Sequence, residues 1–238
     1  MNRFSRTTCV LACLTVVAAS GCVRTDGGVA VRSEDVAAPA SSQPSTPATT
    51  APSAPPTEDA GPAAPGIVPT TRAPIPPNTV TCSQPVRPAV EAVAQVADPQ
   101  APRITVAVPD GWTPTAGSGD VGVRLAGPGG MSATVTIART QLDPAAAFDE
   151  YADKVMAVSP VSSVSVLPAE LCGYSGQKLM GAWSNSPQQT VEFLDRIAHI
   201  WTDSGDYLVA VHVEAPGGTD GFDAASTVLI EDFAVVIP

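Results

Sequence analysis

The chain of 238 residues contains only two histidines, His199 and His212, and both lie beside a predicted hairpin loop. Two imidazoles on one face of a hairpin could bind a metal ion if a third ligand such as Glu214 joined them. If Thr202 lies opposite Tyr207, the two histidines are diagonal neighbours, about 7–8 Å apart on one face. A shift of one residue would place them on opposite faces. We expect ordinary sheet histidines, exposed or hydrogen-bonded, and no metal or other cofactor.

Two serines stand in sequences that superficially suggest acyl transfer. Residues 173–176, Gly-Tyr-Ser-Gly, place Ser175 in a partial match to a nucleophile elbow. The second glycine is not at the required place, and no helix is predicted directly after the segment. Ser204, in the sequence Thr-Asp-Ser-Gly-Asp at 202–206, belongs to the predicted hairpin loop. Neither serine therefore predicts a hydrolase.

Acidic residues dominate the C-terminal part of the chain. From Asp143 onward there are 14 Asp and Glu against 3 Lys and Arg. A pair of carboxylates could serve a cell-wall hydrolase or transferase, but no pair is marked by an apolar pocket or an aromatic sugar platform. We expect a solvated acidic face instead. The formal net charge of −11 also disfavours nucleic acid as a partner, because phosphates would be repelled.

The N-terminus has the layout of a secretory signal peptide. Arg3 and Arg6 precede 17 uncharged residues, from Thr7 to Val23, with an apolar centre. That stretch is shorter than the roughly 20 mostly apolar residues of a spanning helix. The small residues at 19–21 precede Cys22. The sequence therefore predicts a signal peptide at residues 1–21.

Residues 19–22, Ala-Ser-Gly-Cys, resemble a bacterial lipobox. The resemblance implies a diacylglycerol thioether on Cys22, cleavage after Gly21, and acylation of the new amine, for example by palmitate. Cleavage would also remove Arg3 and Arg6, so the net charge would change from −11 to −13. Anionic headgroups repel such a body, and only the lipid would hold it to the membrane. An ordinary cleaved signal or a signal anchor is the alternative.

Residues 22–80 are predicted to be a disordered linker. Twelve of the 25 prolines fall between Pro39 and Pro77, among Ala, Ser and Thr. Such a composition cannot bury enough apolar surface to offset chain entropy. A plain spacer, a glycosylated spacer and a Pro-rich ligand for a partner are all compatible with it.

The cysteine count predicts one disulfide. Of five cysteines, Cys9 and Cys13 leave with the signal peptide and Cys22 carries lipid. Cys82 and Cys172 remain as a pair in an oxidising compartment. Two free thiols are the alternative, and a metal site is not indicated because no CxxC spacing occurs.

Residues 81–238 are predicted to form one globular domain of the α+β class, an antiparallel sheet packed with helices. Asp143 and Pro144 predict the cap and first residue of a helix that ends near residue 159. A second helix is predicted at 219–230, capped by Thr219 or Asp220. Alternating β-branched runs predict strands at 103–108, 121–125, 132–139, 162–167, 171–183, 189–201 and 207–214.

The run at 104–112, Ile-Thr-Val-Ala-Val-Pro-Asp-Gly-Trp, resembles the opening of PsbP-like domains. The layout of lipobox, Pro/Thr-rich linker, this opening, the helix at Asp143 and the late hairpin is similar to mycobacterial LpqN/LpqT-type lipoproteins. The resemblance implies a PsbP-like sandwich in the cell envelope and carries over no catalytic residue. In the turn itself, we expect Gly111 to adopt a positive φ and Trp112 to pack on the core.

Together these features predict a lipoprotein on the outer face of the cell membrane, and they are compatible with exposure at the cell surface. We expect a non-enzymatic domain that binds an envelope or host protein or a small apolar ligand. The alternatives are a carboxylate-dependent cell-wall hydrolase or transferase, and a structural or antigenic surface protein without a ligand.

Overall fold

The computed structural model describes residues 65–84, 90–186 and 189–238. The predicted signal peptide, the lipid-bearing Cys22 and the linker up to residue 64 lie outside these ranges. Within them, neither α-helix has the length and apolarity that crossing a bilayer requires.

The described ranges contain eleven strands, two α-helices and one turn of 3-10 helix, η1. Every strand pair is antiparallel, which confirms the predicted α+β class. In chain order the elements are β1 (Val80–Cys82), β2 (Glu91–Ala94), β3 (Arg103–Ala107), β4 (Thr113–Ala116), β5 (Val121–Ala126), η1 (Pro128–Gly130), β6 (Ser132–Thr140), α1 (Pro144–Met156), β7 (Val161–Pro168), β8 (Ser175–Ser184), β9 (Thr190–Thr202), β10 (Gly205–Pro216), α2 (Phe222–Ile230) and β11 (Ala234–Val236).

The strands form two sheets where the sequence predicted one. The large sheet has the order β4-β5-β6-β10-β9-β8-β7, and the small sheet has the order β1-β11-β3-β2. Three strands of the small sheet escaped prediction because they contain only three or four residues. Runs that short show too little alternation to be distinguished from loops.

The large sheet separates two apolar layers. On one face, Phe148 and Val155 of α1 pack against Leu179, Phe193 and Ile197. On the other face, alternate residues of β10 pack against α2 and the small sheet, with Val209, Val211, Val213, Phe222, Leu229 and Val235 in one cluster. Both faces of the central strands are therefore covered.

The helix ends follow local chemistry. Asp143 accepts a hydrogen bond from the Ala146 amide at 2.9 Å, which confirms it as the cap of α1. The helix ends at Met156, with Ala157 as its C-cap, a few residues earlier than predicted. The predicted cap of α2 is wrong: Gly221, in the left-handed region at φ 81°, takes that position without a side-chain bond.

Residues 65–79, which we call the strap, lie along the domain although the sequence assigned them to the linker. The Gly66 carbonyl accepts from the Gly176 amide at 2.9 Å, and the Val68 amide donates to Ser175 Oγ at 3.0 Å. Farther along, the Ile75 amide donates to Asp203 Oδ1 at 3.1 Å. The strap lacks an apolar pattern, so these backbone contacts could not be predicted from its sequence.

The Cys82–Cys172 disulfide is present, as predicted, and closes a separation of 90 residues. Cys172 lies in a two-residue turn instead of the predicted strand. Leu171 and Tyr174 exchange backbone bonds of 3.0 and 2.8 Å, while Cys172 and Gly173 have φ values of 49° and 84°. Two positive φ values are typical of the tight hairpin turn that matches strand twist.

We expect a Cys82→Ala/Cys172→Ala variant to lose about 2–5 kcal/mol of unfolding free energy, because the open chain gains entropy when it unfolds. Denaturant unfolding of the non-reduced proteins measures the difference. Wild type in reductant should match the variant, and the variant should not respond to reductant. Equal stability of the oxidised and reduced wild type would contradict the prediction.

Candidate functional site

The Pro-Asp-Gly-Trp turn after β3 builds one wall of a cleft. Pro109 follows the strand, and its carbonyl accepts from the Trp112 amide at 3.2 Å. Gly111 has a φ of 80°, as the turn prediction required. Trp112 is buried, also as predicted, and its ring lies against Gly127, where an added Cβ would stand 2.4 Å from a ring carbon. The glycine therefore lets the indole lie flat on the backbone.

The cleft lies between this turn, η1 and the first turns of α2, and it has a volume of about 500 Å³. Buried apolar side chains line it most deeply: Val108, Trp112, Met131 and Ala225. Its rim carries two carboxylates and exposed small or aliphatic side chains: Asp110, Asp220, Ala224, Val90 and Val228. Apolar clefts of roughly 300–1,000 Å³ with a few polar groups are the usual sites for small ligands.

A second site is a charged cluster on the α1 face of the large sheet, formed by Asp195, His212 and Glu214. The β9–β10 register places Asp195 directly opposite His212. His212 Nδ1 lies 2.6 Å from Asp195 Oδ1, and Nε2 lies 3.4 Å from Glu214 Oε2. Ser132 Oγ donates to the other oxygen of Glu214 at 3.2 Å. Both ring nitrogens face carboxylates, which favours the protonated imidazolium.

The pKa values in this cluster follow from burial and from these bonds. Burial alone would lower the pKa of His212, but the hydrogen bonds to Asp195 and Glu214 outweigh it and raise the pKa to about 9. The bond to His212 lowers the pKa of Glu214. Burial raises the pKa of Asp195, although the bond to His212 opposes the shift. Burial, with a further contribution from Asp195, raises the pKa of Tyr151 on α1.

Aromatic rings limit access to the cluster. The Trp183 ring is nearly parallel to that of His212, at 6° and a centroid distance of 5.9 Å, and Phe193 lies 6.1 Å away. The Asp195 side chain is 0% exposed, whereas His212 keeps 26% and Glu214 keeps 38%. A substrate could therefore touch only the outer two groups. The cluster can hold a proton between two carboxylates, but it does not present an accessible pair of carboxyl groups.

The predicted histidine register is wrong. The loop has two residues, so His199 pairs with Leu208, and His212 pairs with Asp195. The histidines share a face but lie four residues apart along the sheet, about 13 Å. His199 Nε2 lies 3.0 Å from the Leu142 carbonyl instead. Among the described residues, no set of three His, Cys, Asp or Glu side chains could hold a metal ion.

Both candidate serines have structural partners. Ser175 is 1% exposed, and its hydroxyl is bonded to the strap at Val68. Ser204 lies in the hairpin loop, as predicted, and its Oγ is 2.9 Å from Thr202 Oγ1. Neither hydroxyl is placed as a free nucleophile.

Arg196, next to Asp195 on β9, is a further buried charge, with only 3% of its side chain exposed. Nη2 donates to Asp232 Oδ1 at 2.7 Å and to the Glu170 carbonyl at 2.8 Å. Neighbouring residues of a strand point to opposite faces. Asp195 therefore meets His212 on one face of the sheet, and Arg196 meets Asp232 on the other. The sequence placed Glu214 near His212 but indicated neither Asp195 as the partner of His212 nor Asp232 as the partner of Arg196, since only the register reveals these pairs.

No family model matches this chain, and a search of curated proteins found no relative. Eleven solved chains match it. One is the crystal structure of LpqN, described as involved in cell envelope biogenesis of Mycobacterium tuberculosis, with 18% sequence identity and a TM-score of 0.49. That similarity covers 62% of this chain and 91% of the LpqN chain. A likeness this low carries no conclusion about role or ligand, and the PsbP-like assignment stays a prediction.

The raised pKa of His212 predicts a pH-dependent stability. The pKa is about 9 in the folded chain and about 6.5 in the unfolded one. The protonated ring therefore stabilises the fold fully below about pH 6.5, and this contribution is lost as the pH rises through about 9. We expect the stability difference between wild type and His212→Gln to shrink over that range, as measured by denaturant unfolding.

His199→Gln is the matched control, because it removes the other imidazole and leaves the cluster intact. It should keep the pH slope of the wild type. A wild-type to His212→Gln difference that stays constant from about pH 6 to about pH 10 would show that His212 is not held as an imidazolium.

Proposed function

We propose that this protein is a lipid-anchored binding domain on the outer face of the cell membrane. It holds a small apolar ligand in the cleft beside Trp112 and catalyses no reaction. This proposal rests on the cleft, because the cleft is large enough for a small ligand and buried apolar side chains form its deepest walls.

The walls and rim indicate the chemistry of the ligand. Trp112 and Met131 offer a flat ring and a pliable thioether, which accommodate aliphatic or aromatic groups. Asp110 and Asp220 stand at the opening. In a chain of net charge −11, these carboxylates disfavour an anionic headgroup. A neutral or cationic amphiphile fits best.

The membrane anchor rests on the N-terminal sequence. Cys22 follows an apolar segment and the residues Ala-Ser-Gly, which resemble a lipobox. A disulfide between Cys82 and Cys172 suits a compartment outside the cytoplasm. A plain proline-rich spacer then keeps the binding domain at a distance from the bilayer.

The charged cluster does not favour the alternative of a carboxylate-dependent hydrolase. Such enzymes bring two carboxyl groups to one glycosidic bond. Here Asp195 reaches no solvent, and His212 stands between it and Glu214. The other alternative, a structural or antigenic surface protein without a ligand, does not account for the cleft.

We expect Ala224→Trp to weaken binding of N-phenyl-1-naphthylamine, a neutral apolar fluorophore, by about tenfold or more, because the indole would occupy the opening. A tenfold loss corresponds to about 1.4 kcal/mol. Fluorescence enhancement on the Cys22→Ser chain measures it, since that chain carries no lipid to dissolve the probe.

Thr227→Trp is the control for this substitution. Thr227 is exposed on the same helix and does not line the cleft. It should leave the affinity unchanged. If the Cys22→Ser chain without a further substitution fails to enhance the fluorescence, or if both tryptophans act alike, the cleft is not the ligand site.

The anchor has an independent test. We expect Cys22→Ser to abolish the incorporation of labelled palmitate and to move the protein from the detergent phase to the aqueous phase of a Triton X-114 partition. The thioether and its acyl chains are the only membrane attachment proposed. A Cys22→Ser protein that still partitions like wild type would refute the lipid anchor and leave the cleft proposal intact.

A further inference from the structure

The outer edge of β7 is a long row of backbone groups without a strand beside it in the described part of the chain. β7 is the last strand of the large sheet and pairs only with β8 there. Its eight residues, Val161–Pro168, carry no charge, and the proline stands at the last position. Such an edge readily pairs with another strand.

The other three sheet edges are protected in ways that β7 is not. β4, at the opposite end of the large sheet, contains Pro114, which has no N–H to donate. β1 and β2, at the ends of the small sheet, have only three and four residues, and β2 begins at the charged Glu91. Short strands, prolines and charges are how soluble proteins avoid edge pairing. By contrast, β7 has eight residues, carries no charge, and has a proline only at its end.

The β7–β8 hairpin is almost uncharged and exposes several apolar side chains. Residues 161–184 contain only two charged side chains, Glu170 and Lys178, in a chain with a net charge of −11. More than half of the large apolar side chains that the described residues expose lie there or just before: Met156, Val158, Val161, Val166, Leu167 and Met180. Val161, Leu167 and Met180 share one face of the sheet, since Met180 lies opposite Ser165, and exposed apolar side chains on one face favour protein contact.

The linker of this chain is a poor occupant for the edge. Its residues closest to the strap, 55–64, contain three prolines and two acidic residues. Each proline removes one ladder hydrogen bond. A second copy of β7 carries no charge and has its proline only at the last position, and the lack of charge on this strand lets two acidic molecules approach.

We propose that β7 pairs antiparallel with β7 of a second copy, so that two large sheets join into one continuous sheet about a twofold axis. Partners across such a pair point to the same face, so the register must pair odd residues with odd and even with even. With Val164 opposite its own copy, Val161 of one chain stands beside Leu167 of the other. The contact is then self-complementary, as a twofold interface requires.

The first test is the mass of the full mature chain in mild detergent, measured by light scattering over a concentration series. We expect a dimer. Val161→Lys/Leu167→Lys places lysines on two exposed positions that face each other in the pair. It should raise the dissociation constant by about 10- to 100-fold, through lost apolar contact and like-charge repulsion.

The matched control is Val80→Lys/Val93→Lys, which changes two comparably exposed valines away from β7 and outside the cleft. It should remain dimeric. A second measurement locates the contact without relying on the lysine variant. Val164→Cys, in membranes treated with copper phenanthroline, should form a covalent dimer, because directly opposed residues lie within disulfide reach. Val93→Cys should not.

The dimer is independent of ligand binding, since the cleft lies beside α2 and no residue of β7 lines it. A wild type that stays monomeric throughout the series overturns the proposal. So does a dimer that survives the β7 lysines, or a Val164→Cys chain that crosslinks no faster than Val93→Cys. An adduct of Val164→Cys with a different protein would show a foreign partner at this edge and would also overturn self-pairing.

Discussion

The register of the β9–β10 hairpin is the constraint on which the rest of this domain depends. A two-residue loop at 203–204 pairs Thr202 with Gly205 and sets every partner along both strands. That register places Asp195 against His212 on one face while Arg196 meets Asp232 on the other. Removing one partner of a buried charge typically costs about 3–5 kcal/mol. A slip of one residue would unpair both charges and turn the apolar residues of each face outward.

The same hairpin separates two apolar layers with different surroundings. On the α1 side, the stacked rings of Trp183 and Phe193 lie beside His212 of the charged cluster. On the other side, α2 and the small sheet cover the hairpin, and the cleft beside Trp112 opens next to α2. The strand β7 lies at one end of the large sheet in the described part of the chain. The cleft and the β7 edge therefore occupy separate parts of one scaffold.

Covalent and backbone contacts hold the start of the described chain to this scaffold. Cys82 on β1 is tied to Cys172 in the turn before β8, while β1 itself pairs with β11 near the C-terminus. The strap adds an ion pair between Arg72 and Asp206 at 2.8 Å. Exposed pairs of this kind contribute about 1 kcal/mol or less. The disulfide is thus the stronger of the two attachments.

Local patterns in the sequence were enough to predict the α+β class, the cap at Asp143, the turn at Gly111 and the pairing of Cys82 with Cys172. Each of these depends on residues adjacent in the chain or, for the cysteines, on a count. The partners of His212 and Arg196, the small sheet and the strap contacts could not be predicted in that way. Pairs such as Ser132 with Glu214 join residues 82 positions apart, and a shift of one residue in strand register changes every such partner. Only the assembled tertiary structure sets that register, because burial of both sheet faces selects one alignment among several that the local sequence permits.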